Sequence, residues 1–144
     1  MVVSCTHKGE PTKQGEMLTT EQINALANDQ SMNGELVSVE GFASFCGSFS
    51  SVTGGKKGRM TIYSDGFCKG GKLMDAEILF ADNKTPLSGE EERNQAIVDK
   101  NFSNETIKFT TDDYQEVSNG KLRFSGTVVY DGNNFYLDNV TIHK

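Results

Sequence analysis

The sequence predicts a mainly-β domain: a curled antiparallel barrel with a short N-terminal helix and one helix inserted between strands. Three observations predict it. Apolar residues recur with a period of two along several runs, the pattern of strands buried on one face. Glycine is plentiful (15 residues) and proline scarce (2), and the glycines fall where bends, bulges and turns are needed. The chain has 144 residues, 35% of them apolar, enough to close one core.

Taken in order, Thr6 to Glu16 is polar, contains Gly9, Pro11 and Gly15, and reads as a flexible tether. Thr19 is placed to cap a helix, with Gln22 three residues on as in a capping box. Ile23, Leu26 and Ala27 then share a face, and Asn33-Gly34 turns the chain. The expected division is therefore a tether over residues 1–18 and a barrel domain over 19–144. Leu36 to Phe45 is the first strand, with Val37, Val39, Gly41, Ala43 and Phe45 in phase. Gly41 inside it predicts a bend. Gly47 to Gly58 is loop-like. Arg59 to Ser64 gives a second strand, Asp65-Gly66 a turn, and Lys72 to Ala81 a third strand with Met74, Ala76, Ile78 and Phe80 inward.

The β rhythm then breaks. Ser88 with Glu91 three residues on, and acidic Glu90 to Glu92 in a first turn, predict the inserted helix, with Ala96 and Ile97 as its apolar face. Thr106 to Thr111 returns to strand. Asn119-Gly120 reads as a hairpin turn. Lys121 to Tyr130 alternates cleanly, so Leu122, Phe124 and Val128 are expected in one core with Val37, Val39 and Ile78. Asp131 to Asn134 is another turn. In the last strand, Asn134 to His143, the apolar phase changes between Leu137 and Val140, which predicts a bulge at Asp138-Asn139.

Three strands, a helix and further strands in a curled sheet is the order of an OB-fold. The segment from Gly34 onward resembles OB-fold lipoproteins and nucleic-acid-binding-like domains of Bacteroides-type bacteria. The residues that carry the resemblance are Asn33-Gly34-Glu35-Leu36-Val37-Ser38-Val39-Glu40-Gly41, then Ser125-Gly126-Thr127-Val128, and the closing Phe135-Tyr136-Leu137-Asp138-Asn139-Val140. These residues shape a fold and form no catalytic motif. The long Asp82–Asn104 connection and an extra strand near Ile107 depart from the pattern. A lipocalin-like barrel is the rival, but it needs about eight strands and only about six or seven are legible.

Val2-Val3-Ser4-Cys5 matches the last four positions of a lipobox, without the charged and apolar regions that precede one. On this reading Cys5 is the lipidated first residue of a mature protein on a bacterial membrane, in the periplasm or at the cell surface. The alternative is an ordinary N-terminus with a free cysteine. With Cys5 set aside, Cys46 and Cys68 remain, 22 positions apart. They follow neighbouring predicted strands, close enough for a disulfide. The alternative is two buried thiols. No His/Cys cluster accompanies them, so neither a metal site nor a cofactor is expected.

No constellation points to catalysis. Gly54-Gly55-Lys56-Lys57-Gly58-Arg59 lacks the Lys-Ser/Thr ending and the helix of a phosphate-binding loop. Lys56, Lys57 and Arg59 instead mark a basic loop where OB-folds often hold a ligand, or merely a solvated loop. Phe42, Tyr63, Phe124 and Tyr136 are candidates for base stacking, with burial the favoured fate. His7 and His143 are separated by the whole chain, and Asp112-Asp113 reads as a solvated turn. A net charge of −6 opposes phosphate backbones. The expected function is a non-catalytic, lipid-anchored extracytoplasmic binding or accessory domain for a protein, peptide or glycan. The alternative is a nucleic-acid-binding OB module.

Overall fold

The computed structural model describes residues 10–46, 57–82, 93–98 and 103–144. Nine strands and one α-helix follow in order: β1 (Glu16–Met17), α1 (Thr20–Leu26), β2 (Leu36–Ser44), β3 (Lys57–Tyr63), β4 (Lys72–Asp82), β5 (Gln95–Val98), β6 (Lys108–Thr110), β7 (Glu116–Ser118), β8 (Lys121–Asp131) and β9 (Asn134–His143).

Five of these strands close a barrel. β2 pairs with both β3 and β8, β3 with β4, β8 with β9, and β9 with β4. The ring is antiparallel except where it closes: β4 and β9 run parallel, through Asp75 opposite Tyr136 and Ala76 opposite Leu137. The order around the ring is first, second, third, fifth and fourth barrel strand, so the domain is an OB-like barrel. Gly41 makes the curl of β2 possible. A Cβ there would meet the Tyr63 carbonyl and the Ile62 side chain. Past it, β2 turns from β8 toward β3, through Phe42 opposite Tyr63.

The core is the one the alternation predicts. Val37, Val39, Ile78, Leu122, Phe124 and Val128 are all buried together, with Met60, Ile62, Phe80, Leu137 and Ile142. The phase change in β9 is a bulge. The register slips between Ser125 and Thr127, and Asn139 adopts a left-handed φ of 52°. Leu137 and Val140 therefore both reach the core although three positions apart. α1 begins in the expected capping box: the Thr19 hydroxyl accepts from Gln22 N and the Gln22 side chain accepts from Thr19 N. Its Ile23 and Leu26 are 3% exposed each, burial that contributes at most about 1.5–3 kcal/mol apiece.

Three expectations are corrected. The inserted helix does not extend to Ala96 and Ile97, which lie in β5, paired in parallel with Phe80 and Ala81 of β4. Asn94, at φ 58°, breaks any helix before them. The Ser88–Glu92 helix signal lies outside the described residues. Asn119-Gly120 does not close a hairpin either. β7 pairs with β6, through a turn in which Thr111 Oγ1 accepts from Gln115 N, Thr111 N donates to the Gln115 carbonyl and Tyr114 takes φ 64°. Asn119 instead steers the chain into β8 while its amide donates to the Ala43 and Asn104 carbonyls.

The third correction concerns the tether. Cys5 lies outside the described residues, but the chain from Glu10 to Leu18 is docked on the barrel. β1 pairs in parallel with β2, Leu18 is buried, and Leu18 N donates to Ser38 O. Gly15 crosses so close over Leu36 and Val37 that a side chain would collide with their backbone. Its carbonyl accepts from the Ser38 hydroxyl, itself 2.6 Å from the Ser125 hydroxyl. Both serines are thus buried on the outside of the barrel, beneath this strap.

Candidate functional site

The candidate site is the outer face of β3, β4 and β9, the face corresponding to the ligand-binding strands of OB-folds. Inward positions of β3 (Met60, Ile62) are fully buried, so Lys57, Arg59, Thr61 and Tyr63 face outward by the period of two. Lys57, expected in a loop, therefore stands with Arg59 on the strand, which begins two residues earlier than expected; the basic loop expected of Lys56, Lys57 and Arg59 is in this part a strand. Lys56 lies outside the described residues. Lys57 Nζ is 3.5 Å from Asp138 Oδ1 on β9, and Arg59 Nη2 is 3.4 Å from Glu77 Oε1 on β4. The Arg59 guanidinium also lies over the Tyr136 ring, 4.0 Å from its centre. Both ion pairs are exposed enough that each contributes about 0–1 kcal/mol. They define a pattern of charge more than they stabilise the fold.

The face splits where the β4–β9 ladder ends after Ala76 and Leu137. A groove of about 290 Å³ lies in the split, lined by Lys57, Glu77 and Leu79 on one side and Asn139 and Val140 on the other. Arg93 and Asn94, just ahead of β5, also line it. Asn94 replaces the missing strand partner of β9: its Oδ1 accepts from Ile142 N at 2.9 Å. The β5–β7 insertion is thus what keeps the barrel wall intact beside an open groove.

Sequence reading missed the group that organises this end. Asp112, expected in a solvated turn, is only 4% exposed. Its carboxylate accepts from Thr12 N at 2.7 Å, Thr12 Oγ1 at 2.8 Å and Asn94 Nδ2 at 2.9 Å, and lies 3.5 Å from Arg93 Nη1. Arg93 in turn donates to the Glu10 carbonyl at 2.8 Å. Asp112 N donates to Ile142 O. One residue therefore joins the strap and the segment ahead of β5 through its carboxylate, and the last strand through its backbone N–H. Burial pulls the Asp112 carboxyl upward, but the hydrogen bonds from Asn94 and Thr12 and the Arg93 charge outweigh it and hold it below the usual carboxylate range. Its partners are 100 and 18 positions away in sequence, so no local pattern announces it. Asp113 remains exposed. His143 packs beside this cluster, its Nε2 2.8 Å from Thr141 Oγ1. Burial lowers its pKa, with Asp112 and Asp113 pulling the other way.

Cys46 and Cys68 are joined, with Cα atoms 5.7 Å apart. The bond ties the end of β2 to the β3–β4 turn. Asn104 braces the same place, pairing with both the N–H and the carbonyl of Phe45. Of the four candidate aromatics, only Phe124 is fully buried. Phe42, Tyr63 and Tyr136 are half-buried on the outer side. Phe42 packs edge-on against Phe67, ring centres 5.7 Å apart, and Tyr136 lies under Arg59. The expectation that the strand aromatics fill the interior therefore fails for three of them, because their strands place them out of phase with the core.

Among the described residues, no cluster of three or more potential metal ligands occurs. The chain matches no protein-family model, no curated protein and no solved structure.

Proposed function

We propose that this chain is a non-catalytic binding or accessory domain, held by a lipid on Cys5 at the outer side of a bacterial membrane, in the periplasm or on the cell surface. Its ligand is a peptide, a glycan or a partner protein, taken on the β3–β4–β9 face. The observation that carries the compartment is the Cys46–Cys68 bond, since disulfides persist in oxidising compartments and are reduced in the cytosol. The resemblance to OB-fold lipoproteins agrees with it. Mass spectrometry of membrane fractions tests the anchor: the expected result is an acylated peptide beginning at Cys5. An unmodified protein that keeps Met1 to Ser4 overturns it.

The charge pattern favours this reading over a nucleic-acid module. Lys57 and Arg59 each already face a carboxylate, so a phosphate must compete with Asp138 and Glu77. A face of alternating charges with polar and aromatic groups suits neutral polar ligands better than a polyanion. A thermal-shift screen of peptides and glycans, repeated on Arg59→Ala, identifies the ligand: a shift that the variant loses supports this face as the site.

A further inference from the structure

We infer that, in the anchored protein, the barrel surface around Glu10, Asp112 and Lys144 rests at the phospholipid headgroups, so that the groove beside Arg93 opens at the membrane surface. The inference deepens the anchor reading and rests on it. Its independent part is the strap. Only residues 6–9 separate Cys5 from Glu10, and Glu10 is fixed to the body through Arg93 and, two residues on, through Thr12 and Asp112. Five Cα–Cα steps span at most about 19 Å in any conformation. A tether free as far as Glu16 would have reached about 42 Å by the same arithmetic, enough to let the whole body tumble clear.

The attachment point sits at one end of the barrel. Asp112 is bonded to Ile142, near the end of β9. Asn134, at the other end of β9, lies about 26 Å away at the usual rise per residue. The leash is shorter than that distance. The turn Asp131 to Asn134 and the single-turn helix Gln30–Met32, which donates from Gln30 to the Gly132 carbonyl, therefore cannot rest on the bilayer with the strap end raised above it, whereas the strap end stays within leash length of the headgroups in every pose. Charge does not drive this placement. The exposed Lys13 and Lys144 are offset by the exposed Glu10 and Asp113. The leash bars the inverted pose whatever the charge, so the bias toward the strap end should withstand salt.

The test separates the leash from the anchor. With the disulfide formed, Cys5 is the one thiol of the full chain and can be coupled to a maleimide lipid in phosphatidylcholine nanodiscs, whether or not cells acylate it. A gadolinium-chelate lipid in the same discs then erases amide NMR signals near the headgroups. The expected result is loss of signal at Thr12 to Gln14, Asp113 to Tyr114 and Lys144, with signals retained at Asp131 to Asn133 and Gln30 to Met32, unchanged at high salt. Insertion of a long Gly/Ser segment between Gly9 and Glu10 should even out the two groups. Equal loss in the native chain, loss at the far turn, or an orientation that salt abolishes overturns the inference. Absence of native acylation overturns the anchor reading alone and is read in a different experiment.

Discussion

At the scale of residues, Asp112 is the position on which most depends. Replacing it with alanine leaves Arg93, Thr12 and Asn94 without the carboxylate they share. Breaking a buried pair in this way costs about 3 kcal/mol, read as a lowered urea midpoint. The Asp112→Asn variant should lose less, because an amide oxygen can still accept from Thr12. The strap should loosen in both, visible as faster amide exchange over Glu16 to Leu18. Acid should act on the same cluster in two stages. His143 has a folded pKa below its ordinary value, so the neutral form is favoured in the folded state. Its contribution is complete above pH of about 6.5 and is lost as pH falls through the lowered folded value. Asp112, also lowered, contributes fully above pH of about 4 and is lost only below it. Urea midpoints across pH should therefore begin to fall below about 6.5, and His143→Gln should remove that first stage while sparing the second.

At the scale of elements, the sequence announces what is local and hides what is distant. The capping box of α1, the alternation of β8 and the bulge of β9 are all legible, because each is written within a few residues. β5 was not. Its four residues carry too short a period to compete with the helix signals ahead of them, and only pairing with β4 decides their state. The strap is hidden for the same reason: nothing in Glu10 to Leu18 alternates, and its partners lie on β2, on β8, just ahead of β5 and in the β6–β7 turn. Lys57 reads as part of a basic loop, since Gly58 beside it looks like loop chemistry, whereas it opens β3 two residues ahead of Arg59. Gly58 is instead a packing glycine, because a Cβ there would strike the Phe80 ring. Gly58→Ala should destabilise by about 1–3 kcal/mol, measured by thermal or urea unfolding. Reduction of the Cys46–Cys68 bond, which spans 22 positions, should cost about 3 kcal/mol on the chain-entropy account. The comparison of oxidised protein with the Cys46→Ser/Cys68→Ser double variant reads it directly.

At the scale of the whole molecule, the closed five-strand order was legible as a class from strand count and a curled pattern, while the parallel closure of β4 on β9 was not. That closure pairs strands far apart in the chain and leaves no mark on either sequence. The overall charge of −6 bears on function at this same scale. Single-stranded nucleic acid should bind weakly or not at all at physiological salt. Even three phosphate contacts, at Lys56, Lys57 and Arg59, would give a log–log salt slope of only about −2. Stacking on exposed rings could add about 1–3 kcal/mol per base, but Tyr136 is already covered by Arg59. Fluorescence anisotropy with labelled oligonucleotides checks this. Submicromolar binding that disappears in Lys57→Ala and Arg59→Ala would promote the nucleic-acid module over the envelope domain.

The strap also has a consequence in time. Two of its contacts wait for residues made much later: Thr12 waits for Asp112, 100 positions on, and Gln14 for Arg123, 109 positions on. A chain that emerges N-terminus first has its first residues exposed until β8 and β9 have folded, and contacts this distant form slowly. An enzyme that modified Cys5 before the barrel closed would thus meet an undocked substrate. Once the barrel closes, Glu10 to Leu18 are drawn against its wall.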